Sequence, residues 1–111
     1  MAKLEVRKMV FVPCYLYKYQ HHGADAFFVG EQMLQGPFIK YNSNNGWWNT
    51  EHEHSEISEL MQAFSHFTFV RSKYQFMVVD LQGVVNDEDG TLLLTDPQAH
   101  SKLRSTEGCS D

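Results

Sequence analysis

Phe76-Met77-Val78-Val79 runs directly into Asp80, and Thr91-Leu92-Leu93-Leu94-Thr95 runs directly into Asp96. Each apolar run reads as a strand with a carboxylate at its exit. A carboxylate leaving an apolar strand is costly to desolvate unless a partner meets it. A metal-nucleotide site supplies such partners, with one acid holding Mg²⁺ and a second taking the proton of an acceptor hydroxyl. Asp80 and Gln82 stand two apart, so on a continuous strand both leave one face and Leu81 the other. Asp96 also has a purely local reading, because aspartate at an N-cap with proline at the first helical position starts many helices, here one over 97–102.

Working upstream, Ile57, Leu60, Met61 and Phe64 fall at i, i+3, i+4 and i+7, which predicts a helix over 56–65. Ser55 is its expected N-cap, and Glu56 and Glu59 sit where the helix dipole favours negative charge. The pattern then predicts a hairpin of strands 68–71 and 75–79 around Ser72-Lys73-Tyr74, and an acidic turn over 86–90 before the strand 91–94. Residues 7–20 read as a strand bent at Pro13. His21-His22-Gly23-Ala24-Asp25 supplies turn chemistry and 26–33 a second apolar strand, so the two form an antiparallel hairpin. Gly36-Pro37 breaks the chain, 38–41 is a short extended piece, and Asn42-Ser43-Asn44-Asn45-Gly46 is a loop. The expected class is α+β, antiparallel strands with one clear helix and no internal repeat.

A chain of 111 residues makes one domain at most. Its 42% hydrophobic and 14% aromatic content is globular, whereas the polar segment 102–111 has the composition of a disordered tail. A net charge of −5 argues against a nonspecific nucleic-acid binder, which needs basic residues to displace counterions. No signal peptide or membrane span is legible, so a cytoplasmic protein without membrane attachment is expected. Cys14 and Cys109 form neither a disulfide framework nor a metal clip, and Cys14 is expected to pack in a strand.

Three further groups attract attention. His66 closes the predicted helix on the side away from Ile57, where a solvated histidine is the local reading. His52 and His54 alternate as strand ligands would, but without cysteines or a hydrophobic frame they read as an exposed loop. Trp47 and Trp48 fit either a core cap or an exposed contact.

Three phrases occur in the order and near the spacing of the alpha-type (atypical) serine/threonine protein kinases. They are Gln62-Ala63-Phe64-Ser65-His66-Phe67-Thr68-Phe69, Val78-Val79-Asp80-Leu81-Gln82-Gly83-Val84 and Leu94-Thr95-Asp96-Pro97-Gln98-Ala99-His100-Ser101. Gly36-Pro37-Phe38-Ile39-Lys40-Tyr41-Asn42-Ser43-Asn44-Asn45-Gly46 resembles a further segment of that family, so the resemblance covers about residues 27–101. It implies the middle portion of a two-lobed kinase domain, with residues 1–101 as a partial domain, acting on a protein substrate with ATP and Mg²⁺. By resemblance Asp80 contacts metal and nucleotide, Gln82 is a nearby nucleotide-site residue, and Asp96 is the catalytic aspartate. Glu31 and Met33 fall at the hinge that meets adenine, and Lys40 and Asn45 lie in the segment near the cleft. His66 matches a zinc ligand whose partners, a histidine and two cysteines, belong to a C-terminal segment that these residues do not reproduce.

Two departures bear on activity. The insertion Asp87-Glu88-Asp89-Gly90-Thr91-Leu92 lengthens the connection between the aspartates, and the family's phosphate-binding lysine strand and Gly-x-Asn-Leu-Gly loop have no counterpart here. A fragment or degenerate copy is the expectation, and a non-catalytic kinase-like binding or scaffolding module is the alternative. A metal hydrolase built on Asp80 and Asp96 would need further convergent acids, which only the 87–89 loop offers.

Overall fold

A computed structural model of the protein describes residues 6–101, leaving residues 1–5 and the polar segment 102–111, Cys109 included, outside the described residues. The elements are β1 (Lys8–Phe11), β2 (Cys14–His21), β3 (Ala24–Glu31), β4 (Ile39–Lys40), a 3-10 turn (His52–His54), α1 (Ser55–Arg71), β5 (Phe76–Val79), β6 (Gln82–Asn86), β7 (Thr91–Leu94) and β8 (Gln98–Ser101). The class is α+β, with one α-helix and mainly antiparallel strands. One pairing departs from that pattern, because β1 lies parallel to β7 at the edge of a four-stranded sheet ordered β1-β7-β6-β4.

The strands nearest the two aspartates form a single bent ribbon. β5 pairs with β8 (Val79 opposite Gln98) and β6 pairs with β7 (Gly83 opposite Leu94), both antiparallel. The register carries across the gap without a slip, so residues 80–82 face 95–97. At this level the ribbon leaves one sheet and enters the other, and the residues that turn it are Asp80 (φ 57) and Asp96 (φ 52). Left-handed backbone costs most L-residues about 1–2 kcal/mol, and aspartate is among the few that visit it routinely.

This arrangement corrects three expectations. Asp80 and Gln82 do not share a continuous strand, because the left-handed turn at Asp80 ends β5 and cancels the two-residue alternation. Asp96-Pro97 does not open a helix, since the residues after it pair with β5 as β8, and that ladder outweighs a local capping preference. Segment 68–71 is not a strand, because α1 continues to Arg71 and β5 finds its partner in β8 instead. Helix extension adds one hydrogen bond per residue once nucleated, which overrides the weak strand preference of Phe67-Thr68-Phe69-Val70. Lys73 (φ 58) and Tyr74 (φ 66) then turn the chain out of the helix, with Tyr74 N–H donating to the Phe69 carbonyl at 2.8 Å.

Ser55 is the first helical residue rather than the N-cap; its hydroxyl donates back to the His52 carbonyl at 3.0 Å, and His54 at the cap position makes no side-chain capping bond. The predicted acidic turn is present: Gly90 N–H donates to the Asn86 carbonyl at 2.8 Å, and Thr91 N–H to Asp89 Oδ1 at 3.0 Å. Those Thr91 bonds hold the Asp89 carboxyl below its usual range. The lengthened connection between the aspartates is thus absorbed at the far end of the ribbon.

β2 and β3 form the expected hairpin, closed by His22 (φ 50) and Gly23 (φ 80), the two positive dihedrals that a two-residue turn of this twist requires. Both its faces carry exposed apolar groups, with Tyr17 stacked on Phe28 at 4.8 Å on one and Leu16 opposite Val29 on the other. Cys14, expected to be packed, is exposed at the start of β2.

α1 supplies Met61 to a core completed by Tyr41, Leu81, Leu92 and Leu94, with Ile57 and Phe64 packed against it. Leu60, expected on the buried face, is exposed. Tyr41 is 1% exposed, and burial pushes its phenol from 10.0 up to about 12. The folded value lies above the unfolded one, so this contribution is fully present below about pH 10 and is lost as pH rises through 12. A tenfold change in proton affinity corresponds to about 1.4 kcal/mol, so stability should fall by an extra ~2 kcal/mol towards pH 12. Urea midpoints of wild type and Tyr41→Phe across this range check it; parallel curves would refute it.

Candidate active site

The bend in the ribbon removes ladder partners from several backbone groups, and side chains replace them. Gln82 lies beside the bend, and its Nε2 donates to the Asp80 carbonyl at 3.0 Å and to the Asp96 carbonyl at 3.4 Å. One amide thus ties the two kinks together. Across the same level, Thr95 N–H donates to the Gln82 carbonyl at 3.0 Å, and the Thr95 hydroxyl donates to Glu31 Oε1 at the end of β3.

The Asp80 carboxylate is 12% exposed, and Lys40 Nζ approaches its Oδ1 at 3.2 Å from β4. β4 pairs with β6 in the register Lys40 opposite Gln82, which sets the lysine beside the bend. A nearly buried carboxylate is tolerable because this ammonium meets it. Lys40 is itself half-exposed, so its charge also reaches the solvent side. Asp96 is exposed, while the Thr95 before it is buried.

Glu31, Lys40, Asp80, Gln82 and Asp96 are therefore joined by a chain of hydrogen bonds, an ion pair and sequence adjacency around one bend. Met33 and Asn45 stand differently. Met33 is 81% exposed, beyond the end of β3. Asn45 Oδ1 accepts from the Ser43 hydroxyl and from Trp47 N–H, at 3.1 Å for the latter, and so shapes its own turn. His66 is exposed on α1, and among the described residues the group that could gather around a metal ion is Glu51, Glu53 and His54, not one containing His66. Those three lie in and just before the 3-10 turn that precedes α1, where His54 Nε2 stands 3.6 Å from Glu51 Oε2 and 3.8 Å from Glu53 Oε1. Trp47 and Trp48 both remain partly exposed.

Asn42 looks like a plain turn residue in the sequence, yet it is 2% exposed and makes three side-chain hydrogen bonds. Its Nδ2 donates to Gln62 Oε1 at 2.8 Å and to Ser65 Oγ at 3.0 Å, and its Oδ1 accepts from Leu81 N–H at 2.9 Å. No local signal separates it from Asn44 or Asn45; its partners lie 20 to 39 residues away.

The model of the alpha-kinase family matches residues 2–111. The chain belongs to the alpha-kinase family. It is 36% identical over 94 residues to alpha-protein kinase vwkA of Dictyostelium discoideum and 46% identical over 78 residues to human eukaryotic elongation factor 2 kinase. These matches cover 85% and 70% of this chain but only 14% and 9% of those proteins. Among solved structures, an alpha-kinase from Entamoeba histolytica superposes with a TM-score of 0.67 at 28% identity, over 93% of this chain and 43% of that one. The alpha-kinase domain of myosin heavy chain kinase A in complex with AMPPCP superposes with a TM-score of 0.64 at 35% identity, over 84% of this chain and 34% of that one. The alpha-kinase chain described here thus spans less than half of either solved domain.

The donor chemistry at the bend suits a magnesium nucleotide. Hard divalent cations take oxygen ligands, often one or two carboxylates with phosphate oxygens completing the shell. Asp80 offers such a carboxylate, and Gln82, whose amide nitrogen is engaged by two carbonyls, has its oxygen left to offer. Among the described residues no comparable set of metal ligands surrounds His66.

Proposed function

We propose that this chain contributes to an ATP-dependent serine/threonine protein kinase of the alpha type, which transfers the γ-phosphoryl group of ATP to a protein hydroxyl. The observation that carries this reading is the single bend at which Lys40, Asp80, Gln82 and Asp96 are held together. Bound Mg²⁺ would neutralise charge on the phosphates. Asp80 would hold it, Lys40 would answer the anionic phosphates, and Gln82 would help orient them. Asp96, exposed at the second kink, would position the acceptor hydroxyl and accept its proton. Glu31 joins this network through its bond to Thr95, whereas Met33, exposed beyond β3, and Asn45, in the loop beyond β4, are assigned to the nucleotide site by resemblance alone.

Residues 1–101 are taken as the partial kinase domain, a boundary that rests on the composition of the sequence, while the family match extends over residues 2–111. ATP and a protein substrate are the partners, and the cytoplasm, where MgATP is available, is the matching compartment. Among the described residues no helix is long and apolar enough to cross a membrane. The relatives are named for different substrates, an elongation factor and a myosin heavy chain, so neither is carried over.

Calorimetric titration of the 111-residue chain with MgATP, against Mg²⁺ alone, tests the proposal. A saturable heat with MgATP whose affinity falls about tenfold or more in Asp80→Asn is expected. Binding that persists without transfer in any longer polypeptide carrying this sequence would favour the scaffolding module, and no binding at all would overturn the nucleotide-site assignment.

A further inference from the structure

Asp80 holds a left-handed backbone in a place where the ladder gives it no support. The residue after it is pinned on both sides by one short segment: the Leu81 carbonyl accepts from Tyr41 N–H at 2.8 Å, and Leu81 N–H donates to Asn42 Oδ1 at 2.9 Å. Leu81 is also fully buried, so its side chain cannot swing to relieve the turn. The Leu81 N–H needs an acceptor, since an unpaired buried donor is expensive. Asn42 provides it while both its own amide hydrogens are bound to α1, at Gln62 and Ser65. The carboxamide therefore links the helix to the peptide that follows the kink.

We propose that Asn42 is a positioning residue whose carboxamide holds the Asp80 kink in its left-handed form and so aims the Asp80 carboxylate at Lys40. The conformational part stands on the hydrogen bonds alone; its consequence for nucleotide binding rests on the kinase reading above. Other residues offer no substitute in this arrangement. Gln82 acts on the Asp80 and Asp96 carbonyls, and Lys40 on the carboxylate, so neither engages the Leu81 amide. An aspartate without that clamp relaxes towards the negative dihedrals that L-residues prefer.

The test is nuclear magnetic resonance on the isotope-labelled 111-residue chain, reading the one-bond Cα–Hα coupling of Asp80, which reports the sign of φ. In Asn42→Ala the coupling should move to the negative-φ value while the methyl shifts of Leu92 and Met61 stay in place. Asn42→Asp keeps an acceptor oxygen and should retain the wild-type coupling. A folded Asn42→Ala chain with Asp80 still at positive φ would overturn the proposal. Should that variant not fold, wild-type Leu81 amide exchange decides: protection matching the Leu92 amide supports the clamp, and exchange as fast as in the 87–89 loop overturns it. MgATP titration of the same variants should show at least a roughly tenfold loss of affinity for Asn42→Ala, the scale of one misplaced charged contact, and near wild-type affinity for Asn42→Asp. Failure of the wild-type chain to bind MgATP would sink the kinase reading, while the coupling still decides the role of Asn42.

Discussion

Asp80→Asn is expected to weaken MgATP binding by about tenfold or more, whereas Asp96→Asn should leave that affinity within about threefold and instead collapse turnover. The scale follows from the roles: a hydrogen bond or contact to a charged group contributes about 1.5–3 kcal/mol, and a general base about 10²–10⁴ in rate. Asparagine is the informative replacement because both positions have positive φ. Asparagine accepts left-handed backbone nearly as well as aspartate, while alanine would add about 1–2 kcal/mol of backbone strain and confuse folding with function. Affinity is measured on the 111-residue chain by calorimetry. Turnover is measured with this segment transplanted into the matching region of a solved alpha-kinase domain, where kcat and KM separate binding from chemistry. Equal losses of MgATP affinity in the two variants, or unchanged kcat in Asp96→Asn, would remove the division of labour between them.

Gly83→Ala should abolish the folded state. A Cβ at this position would lie 1.8 Å from the Leu93 carbonyl oxygen, 2.8 Å from the Leu93 carbonyl carbon and 3.0 Å from the Leu94 Cα. These are backbone atoms of the neighbouring strand, so no side-chain rotation relieves the clash. Gly83 is paired on both sides, with Leu94 of β7 and Ile39 of β4, and separating the strands would break the ladder next to the Asp80 and Asp96 kinks. Ordinary overpacking costs about 1–3 kcal/mol, and a contact this short should exceed that range. Against a net stability of about 5–15 kcal/mol for a typical domain, a loss of the cooperative urea transition or a sharply lower midpoint is expected. A Gly83→Ala chain with the wild-type midpoint would mean that β6 and β7 do not approach as described. Gly30→Ala is a milder comparison, because its nearest neighbour is the movable ring of Tyr17 at 2.9 Å.

Local sequence determined the features whose causes are local. His22-Gly23 closes the β2–β3 hairpin because one two-residue turn suits those residues, and Asn86 to Gly90 closes the β6–β7 turn through its own side chains. The spacing of Ile57, Met61 and Phe64 marked the helix face because packing repeats every turn. The apolar runs ending at Asp80 and Asp96 marked where β5 and β7 end, since a carboxylate at a strand exit is visible in the chain itself, but the left-handed turns at both residues are not legible there. Tertiary structure decided what each of these residues does there. Residues after Asp96 read locally as a helix start, and only the ladder with β5, some twenty residues back, makes them β8. Segment 68–71 reads as strand, but its would-be partner is taken by β8, so α1 keeps it. Asn42, Asn44 and Asn45 look alike in sequence. Which one reaches the Asp80 kink depends on how β4, α1 and the bend pack together, and contacts over that separation leave no periodic trace in the chain.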